Sequence, residues 1–210
     1  GQFCESPRLG AMSNTDTRPA SQPPMHGFIA ALGVGQIVSW GTLFYAFPLI
    51  AVPMSEELAI GRPQVYSLAT FALVVAGLSA YPIGVAIDRG FGRHVMTGGA
   101  MLAGLLLLAW SRLSSVAALY VVFAGIGLVQ SMTLYEPAFA VVVRRFGTDA
   151  RRGITALTLW GGFASTVFVP LIQLLLDTVG WRDTLANLGL CNLLICGGLY
   201  ARAIDPGRQL

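Results

Sequence analysis

Residues 65–111 read VYSLATFALVVAGLSAYPIGVAIDRGFGRHVMTGGAMLAGLLLLAWS. Two apolar stretches, Val65–Ile87 and Val95–Ser111, flank a short charged and glycine-rich segment, Asp88–His94. An apolar helix of roughly 20 residues covers about 30 Å of hydrocarbon. This stretch therefore predicts two membrane helices joined by a tight turn. β-Barrel strands would be about half as long and would alternate polar with apolar residues, which these do not.

The same pattern continues outward. Apolar stretches at Phe28–Val52, Val116–Val143, Ile154–Leu176 and Thr184–Ala203 bring the expected spans to six. The joining segments Pro53–Gln64, Arg112–Ser115, Arg144–Gly153 and Asp177–Asp183 leave no room for a soluble catalytic domain. Composition agrees: 55% of the 210 residues are hydrophobic and 11% are charged, with mean hydropathy +0.68. A soluble domain carries about 25% charged residues. The fold class expected is an all-α polytopic membrane protein with six transmembrane helices. Residues 27–204 form the membrane domain, residues 1–26 a disordered cytoplasmic tail rich in Pro, Ser, Thr, Asn and Gln, and residues 205–210 a cytoplasmic stub. The tail has no apolar core of a signal peptide, and a chain beginning at Gly1 reads as a fragment, a processed chain or an expression product.

All 13 basic residues are arginine. Ten fall on one expected face (Arg8, Arg18, Arg89, Arg93, Arg144, Arg145, Arg151, Arg152, Arg202 and Arg208) and three on the other (Arg62, Arg112 and Arg182). The positive-inside rule then puts both termini in the cytoplasm. Arginines scattered between apolar blocks point to topology and away from nucleic acid. Cys4, Cys191 and Cys196 make no disulfide framework. With no His or carboxylate beside them they predict no metal site. No His cluster, Ser/His pair or Asp pair lies within the spans, so neither an enzyme nor a cofactor is expected. Trp110 and Trp181 are expected at headgroup level. Trp40 and Trp160 either line a cavity or pack.

Glu136 is the one carboxylate well inside a span, where a charge costs about 2.5–3.5 kcal/mol. Pro137 beside it should kink the helix. Gln130, Thr133 and Glu136 recur at steps of three, an arc of about 120°. Two readings stand: a polar lining with a proton-exchanging carboxyl group, or a structural Glu bonded to a neighbouring helix. Gln36, Trp40, Tyr45 and Tyr135 join Gln130 and Thr133 as substrate-cavity candidates. Thr155, Thr158, Gly162 and Ser165 form a small and polar stripe expected to be a helix-packing seam. Gly33, Gly98, Gly104, Gly125 and Gly127 are expected at close helix approaches. Ser39–Pro48 and Ser131–Pro137 echo one another weakly, which suggests two three-helix repeats.

Gly84, Asp88, Arg89, Gly92 and Arg93 form the candidate gating loop. Glycine at 84 favours close packing. Asp88 is expected to cap the third helix and oppose its dipole, and the arginines to bond carboxylates or helix-end carbonyls. This loop resembles the Gly-x-Leu-x-Asp-Arg-x-Gly-Arg-Lys signature of the major facilitator superfamily. Ala86 replaces Leu, one extra residue precedes Gly92, and His94 stands at the final base. Gly180-Trp181-Arg182 is similar to the family's Gly-Trp-Arg. The resemblance covers about residues 27–204 and implies the amino-terminal six-helix half of a transporter. Helix four carries no Arg, and Pro170 lacks the Gly-Pro pair of many drug/proton antiporters. The run from Trp40 through Asp88, with Pro82-x-Gly84, looks closer to the monocarboxylate and oxalate/formate branch.

The family implies a small organic solute, an organic anion in that branch, moved by alternating access with proton coupling across a bacterial inner membrane. It also implies a missing carboxy-terminal half or a second copy as partner, in addition to the lipid bilayer. The rival reading is a non-transporting six-helix scaffold or assembly partner. A transporter half should expose a polar face on helices one and four, which a scaffold would bury.

Overall fold

A computed structural model describes the backbone of residues 25–203 and the side chains of residues 27–200. Nearly all of the expected tail and the stub, with Cys4, Arg8, Arg18, Arg208 and the side chain of Arg202, lie outside the described residues. No strand occurs among those described. The helices are α1 (Met25–Trp40), α2 (Ala46–Glu57), α3 (Arg62–Ala86), α4 (Gly92–Trp110), α5 (Val116–Thr133), α6 (Tyr135–Phe146), α7 (Ala150–Gly162), α8 (Ala164–Cys191) and α9 (Gly198–Ala203). Wide helical turns at Gly41–Tyr45, Ile87–Phe91 and Asn192–Gly197 join α1 to α2, α3 to α4 and α8 to α9.

Three continuous helical runs are long and apolar enough to cross a membrane: Gly27–Glu57, Arg62–Trp110 and Val116–Tyr200. The last two, at 49 and 85 residues, far exceed the roughly 20 needed for one crossing. Each is bent back by backbone that a side chain would strain. Gly90 (φ 94°) turns the chain between α3 and α4, and Gly147 (φ 51°) and Gly180 (φ 80°) interrupt the third run. Positive φ carries little cost for glycine because no Cβ meets the carbonyl oxygen.

Two sets of contacts define opposite ends of the bundle. At one, the Arg145 guanidinium lies 4.0 Å above the Phe28 ring, Phe28 meets Phe146 edge-on at 5.7 Å, and Arg144 donates to the carbonyls of Ile87 (2.9 Å) and Asp88. At the other, Glu57 accepts from Trp181 Nε1 and, at 2.8 Å, from Arg182 Nε. Arg182 also donates to Ser111 O (2.9 Å), Leu113 O (3.2 Å) and Ser114 Oγ (3.0 Å). The helices run between these two knots.

The core is apolar and shared by every long helix, with Leu32, Ile50, Leu68, Met96, Leu107 and Leu119 among its sealed side chains. Outside, Tyr81, Leu78, Leu194 and Val121 are 81%, 75%, 76% and 73% exposed. Large apolar groups facing outward on every side suit hydrocarbon, where backbone groups must be bonded internally. The chain is thus an all-α integral membrane protein. In such a medium helices associate by close fit more than by water exclusion. At Gly127 a Cβ would collide with the carbonyl of Ala72, so α3 and α5 touch backbone to backbone. Gly33 seats the Trp160 ring, Gly104 meets α8 and the turn after it, and Gly125 faces Leu106.

Several expectations change here. Gly98 has open space where a Cβ would stand, and its neighbour Gly99 is the residue pressed against Met132 and Thr133. Trp110 and Trp181 lie near helix ends but are packed against protein (2% and 5% exposed), with Met54 Sδ and Glu57 accepting their indole N–H groups. The stripe Thr155, Thr158, Gly162 is an open face: no described helix packs on Gly162, and both threonines bond their own helix's carbonyls.

Candidate functional site at the helix breaks

The fourth expected span is two helices. Leu134 is extended (ψ −157°) between α5 and α6. Pro137 has no N–H for the carbonyl of Thr133, four residues before it, so the ladder fails there. Placed in the first turn of α6, Pro137 costs that helix nothing, and Glu136 one residue earlier faces the positive end of the helix dipole. The kink expected at Pro137 is therefore a clean break three residues upstream. It separates Thr133, which is buried, from Glu136, which is exposed. The continuous lining of Gln130, Thr133 and Glu136 does not form.

Gln36, Gln130 and Thr133 lie inside the bundle, at 0%, 8% and 0% exposure. Gln36 Nε2 donates to Thr133 O at 2.8 Å and Leu134 O at 3.4 Å. Gln130 Nε2 donates to Leu43 O at 3.0 Å. Thr133 Oγ1 returns to its own helix at Val129 O, 2.7 Å away. Gln36 and Gln130 thus join helices, and Thr133 takes part through its carbonyl. Gln130 alone of the three also borders a cavity of about 300 Å³, walled by Phe44, Phe47, Tyr66, Trp110 and Phe123. Trp110 was expected at headgroup level, and the other four were not singled out in the sequence. Their only signal was aromatic content, which core packing shares.

Trp40, Tyr45 and Tyr135 come together at the surface. Ring centroids stand 4.8 Å apart for Trp40–Tyr135 and 6.4 Å for Trp40–Tyr45; Phe44 and Phe139 extend the cluster at 5.3 Å from Trp40 and 5.2 Å from Tyr135. Tyr135 is seated over Gly161, where a Cβ would strike its hydroxyl, and it donates to Thr158 O at 3.3 Å. The broken helix start, an exposed carboxylate and a half-buried aromatic cluster thus occupy the middle of the α1, α5–α6 and α7 faces.

A second buried polar group runs from the end of α1 and the Gly41–Tyr45 turn to the Asn192–Gly197 turn. Asn192 Nδ2 donates to Thr42 Oγ1 at 2.6 Å, and Thr42 donates to Val38 O at 2.8 Å. Cys196, a packing residue, lies 3.7 Å from Ser39 Oγ. No group of three or more His, Cys, Asp or Glu gathers among the described residues.

In the loop, Asp88 and Arg89 are exposed, Gly92 is buried and Arg93 is half-buried. Asp88 does not cap the third helix: Gly90 turns the chain after it, and Phe91 holds the cap position of α4 without a side-chain bond. Gly84 has open space where a Cβ would stand, so no described helix packs closely on it. The loop is held from α6, by Arg144 on the Ile87 and Asp88 carbonyls.

No protein-family model matches the chain. Curated relatives do. Monocarboxylate transporter 11 of Homo sapiens is 35% identical over 138 residues, 61% of this chain and 28% of that protein. Monocarboxylate transporter 1 of Mus musculus is 29% identical over 195 residues, 88% of this chain and 38% of that protein. Monocarboxylate transporter 12 of Homo sapiens is 31% identical over 127 residues, 56% and 23% respectively. The chain thus spans about a third or less of most of the relatives it matches. With the loop signature and the all-α membrane bundle, these matches make the chain similar to the monocarboxylate transporters of the major facilitator superfamily.

Proposed function

We propose that the protein is the amino-terminal part of a secondary transporter that moves small organic anions across a membrane by alternating access. The observation that carries this reading is the mid-bundle break at Leu134, which leaves Glu136 and the Trp40–Tyr45–Tyr135 cluster on an open face of a chain similar to monocarboxylate transporters. Broken membrane helices with polar groups at mid-depth are how transporters build solute sites. A scaffold would bond such a carboxylate to a neighbouring helix, whereas Glu136 is exposed.

Six crossings are supported by the two knots, which gather alternate turns of the chain at alternate ends. The described arginines of the more basic group, Arg89, Arg93, Arg144, Arg145, Arg151 and Arg152, fall at the end that holds Asp88, which is the cytoplasmic side by the positive-inside rule. The named relatives are mammalian, and nothing in them favours a bacterial inner membrane over another. Glu136 is the proton carrier of the reading, and the Asp88 loop its gate. The face here carries a carboxylate, and the family resemblance implies that the balancing cation for an anionic solute belongs to the carboxy-terminal half. No covalent chemistry is assigned. The test is uptake of radiolabelled lactate into proteoliposomes containing the full-length protein, with and without an inward proton gradient. Gradient-dependent accumulation is expected; no lactate uptake under either condition would overturn the reading.

A further inference from the structure

Gln36 and Gln130 share a relationship that lining a cavity does not require. Gln36, on α1, donates to Thr133 O at 2.8 Å, and Thr133 stands four residues before Pro137. Gln130, on α5, donates to Leu43 O at 3.0 Å, inside the wide turn Gly41–Tyr45 and five residues before Pro48. Proline donates to neither carbonyl: four residues is the spacing of an ordinary helical bond, and five is that of the wide turn. Both partners are acceptors, so each glutamine must turn its NH₂ end inward. Both side chains are buried, in a setting where an open carbonyl is costly.

We infer that Gln36 and Gln130 are positioning residues that exchange caps. Gln36 supplies the donor that Pro137 lacks at the four-residue spacing, and Gln130 the donor that Pro48 lacks at the five-residue spacing of the wide turn. Together they tie the break at Leu134 to the wide turn at Gly41–Tyr45. Trp40 and Tyr45 on one side, and Tyr135 and Glu136 on the other, are held in register as a result. Sliding α1 along α5 would uncover two carbonyls at once, so the two halves of this wall move together. The exchange of caps stands without the transporter reading; only the wall's role in solute passage rests on it.

The test is a pair of double-mutant cycles on the purified full-length protein, unfolded reversibly in mixed micelles. Gln36→Met keeps the length of the side chain and removes the donor. It should lower the folding equilibrium constant about tenfold or more. In a Pro137→Ala background, which lets the helix close through Leu134 and gives Thr133 O a backbone donor, the loss should shrink to about threefold or less. Gln130→Met with Pro48→Ala should behave in the same way. Equal losses in both backgrounds would overturn the inference, since a packing role is indifferent to the proline.

If Gln36→Met does not fold, Gln36→Asn keeps an amide too short to reach. Amide exchange in Gln36→Asn should then rise around Leu134–Ala138, and exchange in Gln130→Asn around Leu43–Phe47. Exchange that rises only near the substituted residue overturns the crosswise arrangement. Coupled cycles together with no lactate uptake by the unmodified protein would overturn the transporter reading and sustain the exchanged caps.

Discussion

Arg182 and Glu57, 125 residues apart, meet at 2.8 Å, and the same guanidinium reaches the carbonyls of Ser111 and Leu113. One side chain thus ties three turns at one end of the bundle. The ion pair is partly exposed, at 29% and 49%, and exposed pairs contribute little. The carbonyl bonds come from a more sheltered set. Arg182→Ala should therefore lower the thermal midpoint in detergent clearly more than Glu57→Gln does. Equal shifts would mean that the charge pair alone holds the knot.

Gly127 lets α3 and α5 touch. Gly127→Val must push the Ala72 backbone away, and overpacking of this kind costs about 1–3 kcal/mol. Gly98→Ala, which meets open space, is the matched control and should leave the midpoint unchanged. Unfolding in detergent micelles reads both.

Cysteine labelling reports the sidedness. Thr148 and Ser114 are exposed in turns at the two ends of the bundle. Thr148→Cys should react with an impermeant maleimide only from the cytoplasmic side, and Ser114→Cys only from the opposite side. Reaction of both from the same side would remove the six-crossing topology.

The Asp88 loop lies at a bundle end, far from the aromatic cluster. Asp88→Asn in the full-length protein should slow lactate uptake while equilibrium binding stays within about twofold. A variant whose main defect is weaker binding would end the gating role.

Glu136→Gln keeps size and hydrogen bonding and removes proton exchange. The variant should express normally and lose accumulation driven by a pH gradient, while lactate counterflow persists. Unchanged pH-driven accumulation would exclude Glu136 as the proton carrier, and lost expression would favour a structural role.

The bundle was legible in the sequence because apolar length is a local property. The positive-φ glycines 90, 147 and 180 fall in three of the expected joining segments. The site was legible in part. Glu136, Trp40, Tyr45 and Tyr135 do come to an open or half-open face, but Gln36, Gln130 and Thr133 turned inward. A polar residue within a span reads the same whether it meets solute or a backbone carbonyl. The signal that separates the two is the carbonyl four or five residues before a proline, at Thr133 and at Leu43, which the proline itself cannot satisfy. Gly98 and Gly99 show another limit: neighbouring glycines point 100° apart on a helix, and composition does not say which one faces a partner. Trp110 and Trp181 stood at the expected helix ends, yet their indole partners, Met54 and Glu57, lie far away in sequence.

The two knots at the bundle ends distribute mutational risk unevenly. Arg144 and Arg182 take main-chain oxygens of residues 87, 88, 111 and 113 as acceptors. A main-chain acceptor is present whatever side chain its residue carries, so those four positions can vary without removing a bond. The arginines have no such latitude. Arg182 spreads three nitrogens over Glu57, Ser111, Leu113 and Ser114, which the single compact ammonium of lysine could not match. The end that holds Arg182 therefore concentrates its fragility in one side chain, while the other end shares it among Arg144, Arg145 and Phe28.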